Sequence, residues 1–138
     1  MDTKEPGRPL PHLDEPDTRE FWQATTAHQF RFQVCQNCDA IAWYPKYVCS
    51  ACTDGELKWH TTQGEGYIYS FSVVRQSYHP FFRNLVPYAV AWVELDEGPR
   101  FLTNVIGVED PTELVVGQRV RISWEDHPEV SLPLVTPI

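Results

Sequence analysis

Four cysteines in two pairs are the residues of this chain whose type and spacing point to chemistry. Two residues separate the thiols within each pair and ten residues separate the pairs, giving the pattern C-x2-C-x10-C-x2-C. Two intervening residues let each pair form a knuckle that points both sulfurs at one ion. Four thiolates in a tetrahedron are the coordination that Zn²⁺ prefers in closed structural sites. The pattern predicts one metal site, held by Cys35, Cys38, Cys49 and Cys52.

Disulfide bonds and a redox dithiol are the alternative interpretations of these cysteines. Disulfide frameworks are typical of small secreted chains, but the N-terminus is polar and proline-containing, with no apolar signal core. A thioredoxin-like dithiol needs one pair beside a βαβ pattern, whereas this chain has two pairs in a strand-rich stretch. We therefore favour a metal with a structural role, because four sulfurs leave no open coordination position. Zinc and iron both remain open, since four thiolates suit either metal.

Composition and charge limit the remaining functions. The 138 residues include 42% hydrophobic and 13% aromatic residues, enough for a real core in one domain or two very small ones. No run of about 18 apolar residues predicts a membrane span, and reduced cysteines indicate the cytoplasm. Acidic residues outnumber basic ones by 19 to 11, and Lys and Arg form no cluster. Because nucleic-acid-binding proteins usually carry a basic face, this balance disfavours that class without excluding it.

No pattern in the sequence predicts catalysis by this chain. The nucleophile elbow, the P-loop and the dinucleotide fingerprint are all absent. The acidic pairs are interpreted as exposed turns, because nothing requires two carboxylates to be buried together. The histidines are scattered, and none pairs with another at metal-ligand spacing: His12, His28, His60, His79 and His127. We expect a non-catalytic protein.

The N-terminal part of the chain is expected to lead into the metal module. Residues 1–16 contain four prolines, which favour an extended arm. Asp17 with Glu20 three residues later is typical of a helix start, and predicts a helix over about 18–28. That helix would place Phe21 and Trp22 on one side, either as core residues or as partner contacts. Alternating residues 30–34 predict a strand into the first knuckle, and residues 41–45 predict the returning strand.

The rest of the chain has the pattern of a small β-barrel. Predicted strands cover 67–74, 88–95, 100–106, 119–124 and about 130–135, with turn residues between them. Gly64 and Gly66 suit a bulge or a tight bend where the first of these strands begins. Five strands without a long helix favour a small antiparallel barrel of the OB type over an open sandwich.

The connection over residues 76–87 is unusually apolar for a loop. Loops usually face water and are polar, whereas aromatic residues and arginine are enriched at protein interfaces. We predict a contact surface here, with a cap over one end of the barrel as the alternative. The candidate contact residues in this loop are Tyr78, His79, Phe81, Phe82 and Arg83.

The combined pattern resembles the zinc-ribbon plus OB-fold acyl-CoA-associated family known as domain of unknown function 35. The resemblance covers about residues 14–135. Asp39, where the family usually has glycine, and Ser50, where it often has proline, depart from its pattern. The matching segments are Phe21-Trp22, the four cysteines, 64–70, His79-Pro80, Pro87-Tyr88, 93–98 and Val116-Gly117.

This resemblance implies a mainly β protein in which an N-terminal helix and a rubredoxin-like four-cysteine zinc ribbon precede a small OB-fold barrel. The implied division is an arm over 1–16, the helix and ribbon over 17–58, and the OB fold over 59–138. The implied function is a non-catalytic subunit that docks on a thiolase-superfamily enzyme, either a thiolase or a lipid-transfer-protein-like aldolase of steroid or acyl-CoA side-chain degradation. It would stabilise that enzyme and help shape its acyl-CoA site, with Phe21, Trp22 and the 76–87 loop as contacts.

Two other functions remain open from the sequence. A zinc-ribbon and OB-fold protein can bind single-stranded nucleic acid by stacking bases on Trp and Tyr side chains. A free-standing acyl-CoA-binding module is the other alternative, although the acidic charge does not favour a strong phosphate site. His79 would reach a thioester only if the loop lies against a partner's active site.

Overall fold

A computed structural model describes residues 7–138, so the first six residues of the predicted arm lie outside the described chain. Residues 7–16 contain no helix or strand. Helix α1 follows at Arg19–Thr25, with Phe21 and Thr25 buried and Trp22 half-buried. The predicted cap at Asp17 is wrong, because Thr18 occupies the N-cap position and makes no side-chain capping bond.

Helix α1 is also shorter than the predicted range of about 18–28. Two consecutive threonines end it. Thr25 donates its hydroxyl to the carbonyl of Trp22 and Thr26 to that of Gln23, at 2.6 and 2.7 Å. Such local bonds compete with the helical backbone pattern. The chain then reverses through His28, which has a φ of 56°.

The metal module is a three-stranded antiparallel sheet. Strand β1 is Arg31–Cys35, β2 is Ile41–Ala42 and β3 is Leu57–Thr61, in the order β2-β1-β3. The returning strand β2 is therefore shorter than the predicted 41–45. Strand β3 pairs with β1 along its whole length and extends past residue 58, where the sequence predicts a division of the chain. That division stays a prediction.

The second module is a closed five-stranded barrel. Its strands are β4 (Glu65–Val74), β5 (Tyr88–Leu95), β6 (Arg100–Val105), β7 (Arg119–Asp126) and β8 (Ser131–Pro137), in the order β4-β5-β6-β8-β7. The predicted small five-stranded barrel is confirmed, and its strands pair antiparallel except for β6 and β8, which pair in parallel. A ring with an odd number of strands cannot alternate direction throughout, so closure of five strands requires a parallel pair. The barrel is of the OB type.

The connections of the barrel carry two short helices. Helix α2 spans Pro80–Arg83 within the apolar loop, and a 3-10 helix spans Pro111–Glu113. Within the described residues, no helix is both long and apolar enough to cross a membrane.

The ribbon and the barrel share one hydrophobic core. Phe30 at the start of the ribbon sheet contacts Phe101 of β6, with ring centroids 4.8 Å apart. Phe21 of α1 packs on the other side of Phe30 at 5.1 Å. The same cluster contains fully buried barrel residues such as Val93 and Val120. The helix and the ribbon are therefore held against the barrel by aromatic packing.

Gly64 and Gly66 shape the entry into β4 in different ways. Gly64 has a φ of 84°, which confirms the predicted bend. A Cβ on Gly66 would lie 2.2 Å from the carbonyl oxygen of Glu94, so only glycine fits against β5 here. The bulge lies farther along the strand, between Ile68 and Ser70.

Candidate metal centre and contact surface

The two knuckles bring all four cysteine sulfurs together. The Sγ atoms of Cys35, Cys38, Cys49 and Cys52 all lie within 4.8 Å of one another. The Cys35–Cys52 and Cys38–Cys49 pairs are each separated by 3.6 Å. A tetrahedral Zn²⁺ with Zn–S bonds of about 2.3 Å requires sulfurs about 3.8 Å apart. The predicted four-cysteine cluster is confirmed, and it fits one structural zinc ion.

The surroundings of the sulfurs also fit a metal centre. The backbone N–H groups of Asn37 and Cys38 point at Sγ of Cys35, at 3.4 and 3.5 Å. Hydrogen bonds from the backbone of Asp54 and from Asn37 lower the pKa of Cys52 to about 6. The backbone of Ala40 lowers the pKa of Cys38, but the hydrogen bonds with the other three cysteines and burial together raise it to about 12. Four thiols that converge make unequal hydrogen bonds, so their pKa values differ. Binding of a metal ion would release the remaining thiol protons.

Left-handed residues close both knuckles. Asp39 follows the first pair with a φ of 61°, and Thr53 follows the second pair with a φ of 63°. Glycine adopts this conformation without strain, and aspartate tolerates it better than most other residues. The departure at Asp39 is therefore compatible with the knuckle, as the sequence interpretation required.

Gly55 has no side chain, and this makes room for the cysteine sulfurs. A Cβ at this position would lie 1.9 Å from Sγ of Cys35 and 3.2 Å from Sγ of Cys52. The chain therefore passes against the sulfurs at a distance that only glycine permits. No sequence signal marked this residue, because the contact depends on how the second knuckle leads into β3.

We expect Gly55→Ala to lower zinc affinity by about 10- to 100-fold, the size of effect seen when support around a metal is removed. The added methyl group displaces Sγ of Cys35 and leaves the ligand set itself intact. Competition with a chromophoric chelator measures this affinity. Gly7→Ala is the matched control, because a Cβ on Gly7 meets nothing within 4 Å. Equal affinities for the two variants would contradict the expectation.

The apolar loop presents its aromatic side chains around helix α2. His79 caps this helix, because its Nδ1 accepts a hydrogen bond from the backbone N–H of Phe81 at 3.1 Å. Phe81 and Phe82 contact each other edge-to-face and are half-buried. Tyr78 is 82% exposed. Arg83 donates to the carbonyl of Tyr78 at 3.0 Å, which ties the two ends of the turn together.

The two other predicted contact residues lie apart from this loop. Phe21 is almost fully buried and forms part of the shared core. Trp22, its neighbour on α1, is half-buried and lines a cleft between α1, the ribbon and the barrel. The contact roles of these residues remain predictions.

The cleft itself is a feature that the sequence analysis missed. It has a volume of about 650 Å³ and is lined mainly by aromatic and aliphatic side chains, including Trp22, Trp43 and Trp92. Trp92 of β5 and Leu102 of β6 pair across the strands and are 45% and 55% exposed. Both occupy outward positions of strands in which alternate residues are buried. That placement of large apolar residues was the available signal.

A polar group borders this apolar outer face. Tyr67 donates its hydroxyl to Glu94, and Arg100 donates to the same carboxylate at 2.8 Å. The hydrogen bond from Tyr67 lowers the pKa of Glu94, and it raises the pKa of Tyr67. The guanidinium of Arg100 lies 3.8 Å from the ring centre of Tyr69. The outer face of β4, β5 and β6 thus combines tryptophan, tyrosine and arginine, the residue types most enriched at interface hot spots.

The three arginines in the barrel strands are paired with acidic neighbours. Arg119 binds Asp96 through two hydrogen bonds at 2.7 and 2.8 Å, and Arg121 contacts Glu65 at 3.1 Å. Arg100 is held by Glu94 as described above. These pairs reduce the free positive charge of the strand surfaces, whereas Arg75 and Arg83, between β4 and β5, form no salt bridge with a described residue.

A rubredoxin-like zinc ribbon joined to an OB-fold barrel defines the class of this protein. The ribbon and barrel segments each match a known family. Residues 22–58 match the ChsH2 rubredoxin-like zinc ribbon domain, and residues 59–125 match the ChsH2 C-terminal OB-fold domain. The chain belongs to this ChsH2 family, also called DUF35.

Relatives with curated names include subunits of hydratases and scaffold proteins. A probable enoyl-CoA hydratase alpha subunit of Thermomonospora curvata is 34% identical over 94% of this chain. A 3-oxo-4,17-pregnadiene-20-carboxyl-CoA hydratase alpha subunit of Mycobacterium tuberculosis is 30% identical over 84% of it. The chain spans only 40% and 36% of these two proteins. A DUF35 domain-containing scaffold protein of Methanothermobacter thermautotrophicus is 30% identical, with 64% of this chain and 65% of that protein covered.

A solved structure matches nearly the whole chain. One chain of the structure described as the Ltp2-ChsH2(DUF35) aldolase superposes with a TM-score of 0.80 and 30% sequence identity. The superposition covers 94% of this chain and 98% of that chain. The match therefore includes the helix, the ribbon and the barrel together.

Proposed function

We propose that this protein is a non-catalytic subunit that docks on a thiolase-superfamily enzyme and helps shape its acyl-CoA site. The observation that carries the proposal is the match, over 94% of the chain, to the ChsH2(DUF35) component of an aldolase complex. The partner that fits best is a lipid-transfer-protein-like aldolase acting on an acyl-CoA or steroid side chain. The names of the hydratase subunits support CoA-thioester metabolism as the setting.

Two exposed apolar areas support docking. The first is the aromatic loop around α2, which presents Tyr78 to solvent. The second is the outer face of the barrel, where Trp92 and Leu102 border the cleft. Strand residues that face water on a small barrel are usually polar, so large apolar residues here indicate a surface that a partner covers.

The side chains of the described residues support a scaffold role for this chain. Four sulfurs fill the coordination of a tetrahedral ion and leave no position for substrate. His79 is engaged as a helix cap through Nδ1. The carboxylate of Glu94 is held by Tyr67 and Arg100, and both hydrogen bonds keep its pKa low, so it is a poor general acid. A four-thiolate site requires reduced cysteines, which agrees with the reducing cytoplasm that we propose as its location.

The alternative functions have weaker support. Nucleic-acid binding requires unpaired basic side chains, and the three arginines of the barrel strands are engaged by carboxylates. A free-standing CoA site requires positive groups for its phosphates. Arg100 is the arginine of the cleft lining, and Glu94 neutralises it.

Titration calorimetry against a purified thiolase-superfamily aldolase tests the proposal. We expect a stable complex with the wild type. We expect Tyr78→Ala to weaken binding by about 10- to 100-fold, the range for removing an interface aromatic. The side chain accepts one hydrogen bond, from Gln76, so its loss leaves the fold unchanged. Tyr47→Ala is the control, because Tyr47 is 70% exposed and belongs to the ribbon and not to the apolar loop.

Failure to bind any aldolase or thiolase of this superfamily, with the aldolase fully active when alone, would overturn the proposed function. Equal affinities for the wild type and Tyr78→Ala would remove the loop from the interface and leave the barrel face as the candidate.

A further inference from the structure

Arg8 of the N-terminal arm is buried among residues from three distant parts of the chain. Its side chain is only 10% exposed. The Nε atom lies 2.6 Å from Oε1 of Glu125 on β7. The N–H does not point at that oxygen, so the contact is an ion pair and not a directed hydrogen bond. Arg8 also donates through Nη1 to Oδ1 of Asn104 on β6, at 3.4 Å.

The guanidinium of Arg8 also lies against the aromatic pair of helix α2. Its central carbon is 4.9 Å from the ring centre of Phe81 and 5.3 Å from that of Phe82. A guanidinium within about 6 Å of an aromatic ring makes a favourable cation–π contact, stronger when the group is desolvated. One arm residue thus connects the apolar loop with two strands of the barrel.

The arm between Arg8 and α1 follows the surface as an extended segment. Arg8, Pro11 and Leu13 are half-buried, whereas most residues between and around them are exposed. Arg19 of α1 donates to the carbonyl of Asp14 at 2.9 Å and fixes the other end. The arm is therefore attached at both ends, through Arg8 to the loop and through Asp14 to the helix.

Helix α2 depends on contacts outside itself for its order. This helix has only four residues, and none of them is buried. Phe82 contacts Tyr88 at the start of β5, with ring centroids 5.6 Å apart. A helix of this length is not stable by itself in water. The contacts with Arg8 add to the contact with Tyr88 and to the cap at His79.

We propose that residues 7–16 form a strap that holds the aromatic loop in a defined position, with Arg8 as its positioning residue. The strap orders Phe81 and Phe82 through cation–π contacts with a guanidinium that is anchored to the barrel through Glu125. Its effect on docking rests on the proposed function, whereas its effect on the order of the loop does not.

Backbone ¹⁵N relaxation of the free protein tests the strap. In the wild type we expect order parameters near 0.85 for residues 80–85, typical of rigid backbone, and values below about 0.6 in Arg8→Ala. Arg8→Lys keeps a positive charge for the ion pair and loses the broad guanidinium that contacts both rings, so intermediate values are expected. Glu125→Gln keeps the guanidinium and removes its charged anchor, and intermediate values are expected there too. Arg75→Ala, at an exposed arginine, is the control and should match the wild type.

Unchanged order parameters for residues 80–85 in Arg8→Ala would overturn the strap. Order parameters of barrel amides such as those of Val93 and Val120 report whether the fold is intact in each variant. If the barrel loses order in Glu125→Gln and keeps it in Arg8→Ala, the comparison of Arg8→Ala with Arg8→Lys is the test. Calorimetry with the aldolase separates the two proposals. A disordered loop in Arg8→Ala together with no aldolase binding by the wild type would retain the strap and reject the docking function.

Discussion

Replacing Cys35 with serine is expected to abolish zinc binding and to unfold the ribbon. The wild type should bind one zinc ion per chain and the variant none, because a hydroxyl cannot replace a buried thiolate in a four-sulfur site. Structural zinc contributes apparent binding free energies of about 10–16 kcal/mol in small metal modules. We expect a loss of about 4 kcal/mol or more in the free energy of unfolding of the zinc-loaded protein.

Metal analysis by mass spectrometry and tryptophan fluorescence measure this outcome. Trp43 packs on Phe21 and Phe30 at centroid distances of 5.0 and 4.9 Å, so unfolding of the ribbon should shift its emission to the red. Ser50→Ala is the matched control in the second knuckle, because it removes only the exposed hydrogen bond from Lys46. A Cys35→Ser protein that keeps one zinc ion and its thermal stability would show that the four-thiolate assignment is wrong.

Replacing Gly66 with alanine is expected to destabilise the barrel by about 3 kcal/mol, at the upper end for overpacking. The new Cβ would lie 2.2 Å from the carbonyl oxygen of Glu94 and 2.9 Å from Cα of Leu95. Both are backbone atoms of β5, so no side chain can move aside to relieve the clash. Strands β4 and β5 must separate at their first paired residues, Gly66 and Leu95.

Thermal unfolding followed by circular dichroism checks this expectation. A loss of about 3 kcal/mol corresponds to a fall in Tm of about 10 °C for a chain of this size. Gly7→Ala makes the same chemical change where a Cβ contacts nothing within 4 Å, and its Tm should not fall. A Tm for Gly66→Ala within 2 °C, or about 0.6 kcal/mol, of the control would contradict the close approach of the two strands.

Gly64 and Gly66 show which features a local sequence pattern predicts and which depend on long-range contacts. The bend at Gly64 is a local feature, and a Gly-x-Gly entry to a strand predicts it. The requirement for glycine at position 66 arises from the backbone of β5, which is 28 residues away in sequence at Glu94. No local propensity contains that contact.

The apolar loop was predictable from the sequence only in part. Its composition predicted a surface feature, and the structure places Tyr78 in solvent. The composition did not predict that Arg8 would lie between the loop and the barrel, because an isolated arginine in a proline-rich arm has no local pattern. The ion-pair partner of Arg8 is Glu125, and only folding of the barrel brings the two residues together.

Local patterns in the sequence predict the metal ligands, the order of the two modules and most of the strands. The ligand spacing is local, so two short knuckles specify the site, and alternation of apolar and polar residues specifies each strand. The parallel pairing of β6 and β8, the cleft beside Trp92 and the contacts of Arg8 arise only in the folded protein. Each of these features depends on closure of the barrel, which brings together residues far apart in the chain. The free energy of such long-range contacts cannot be inferred from the sequence of one segment.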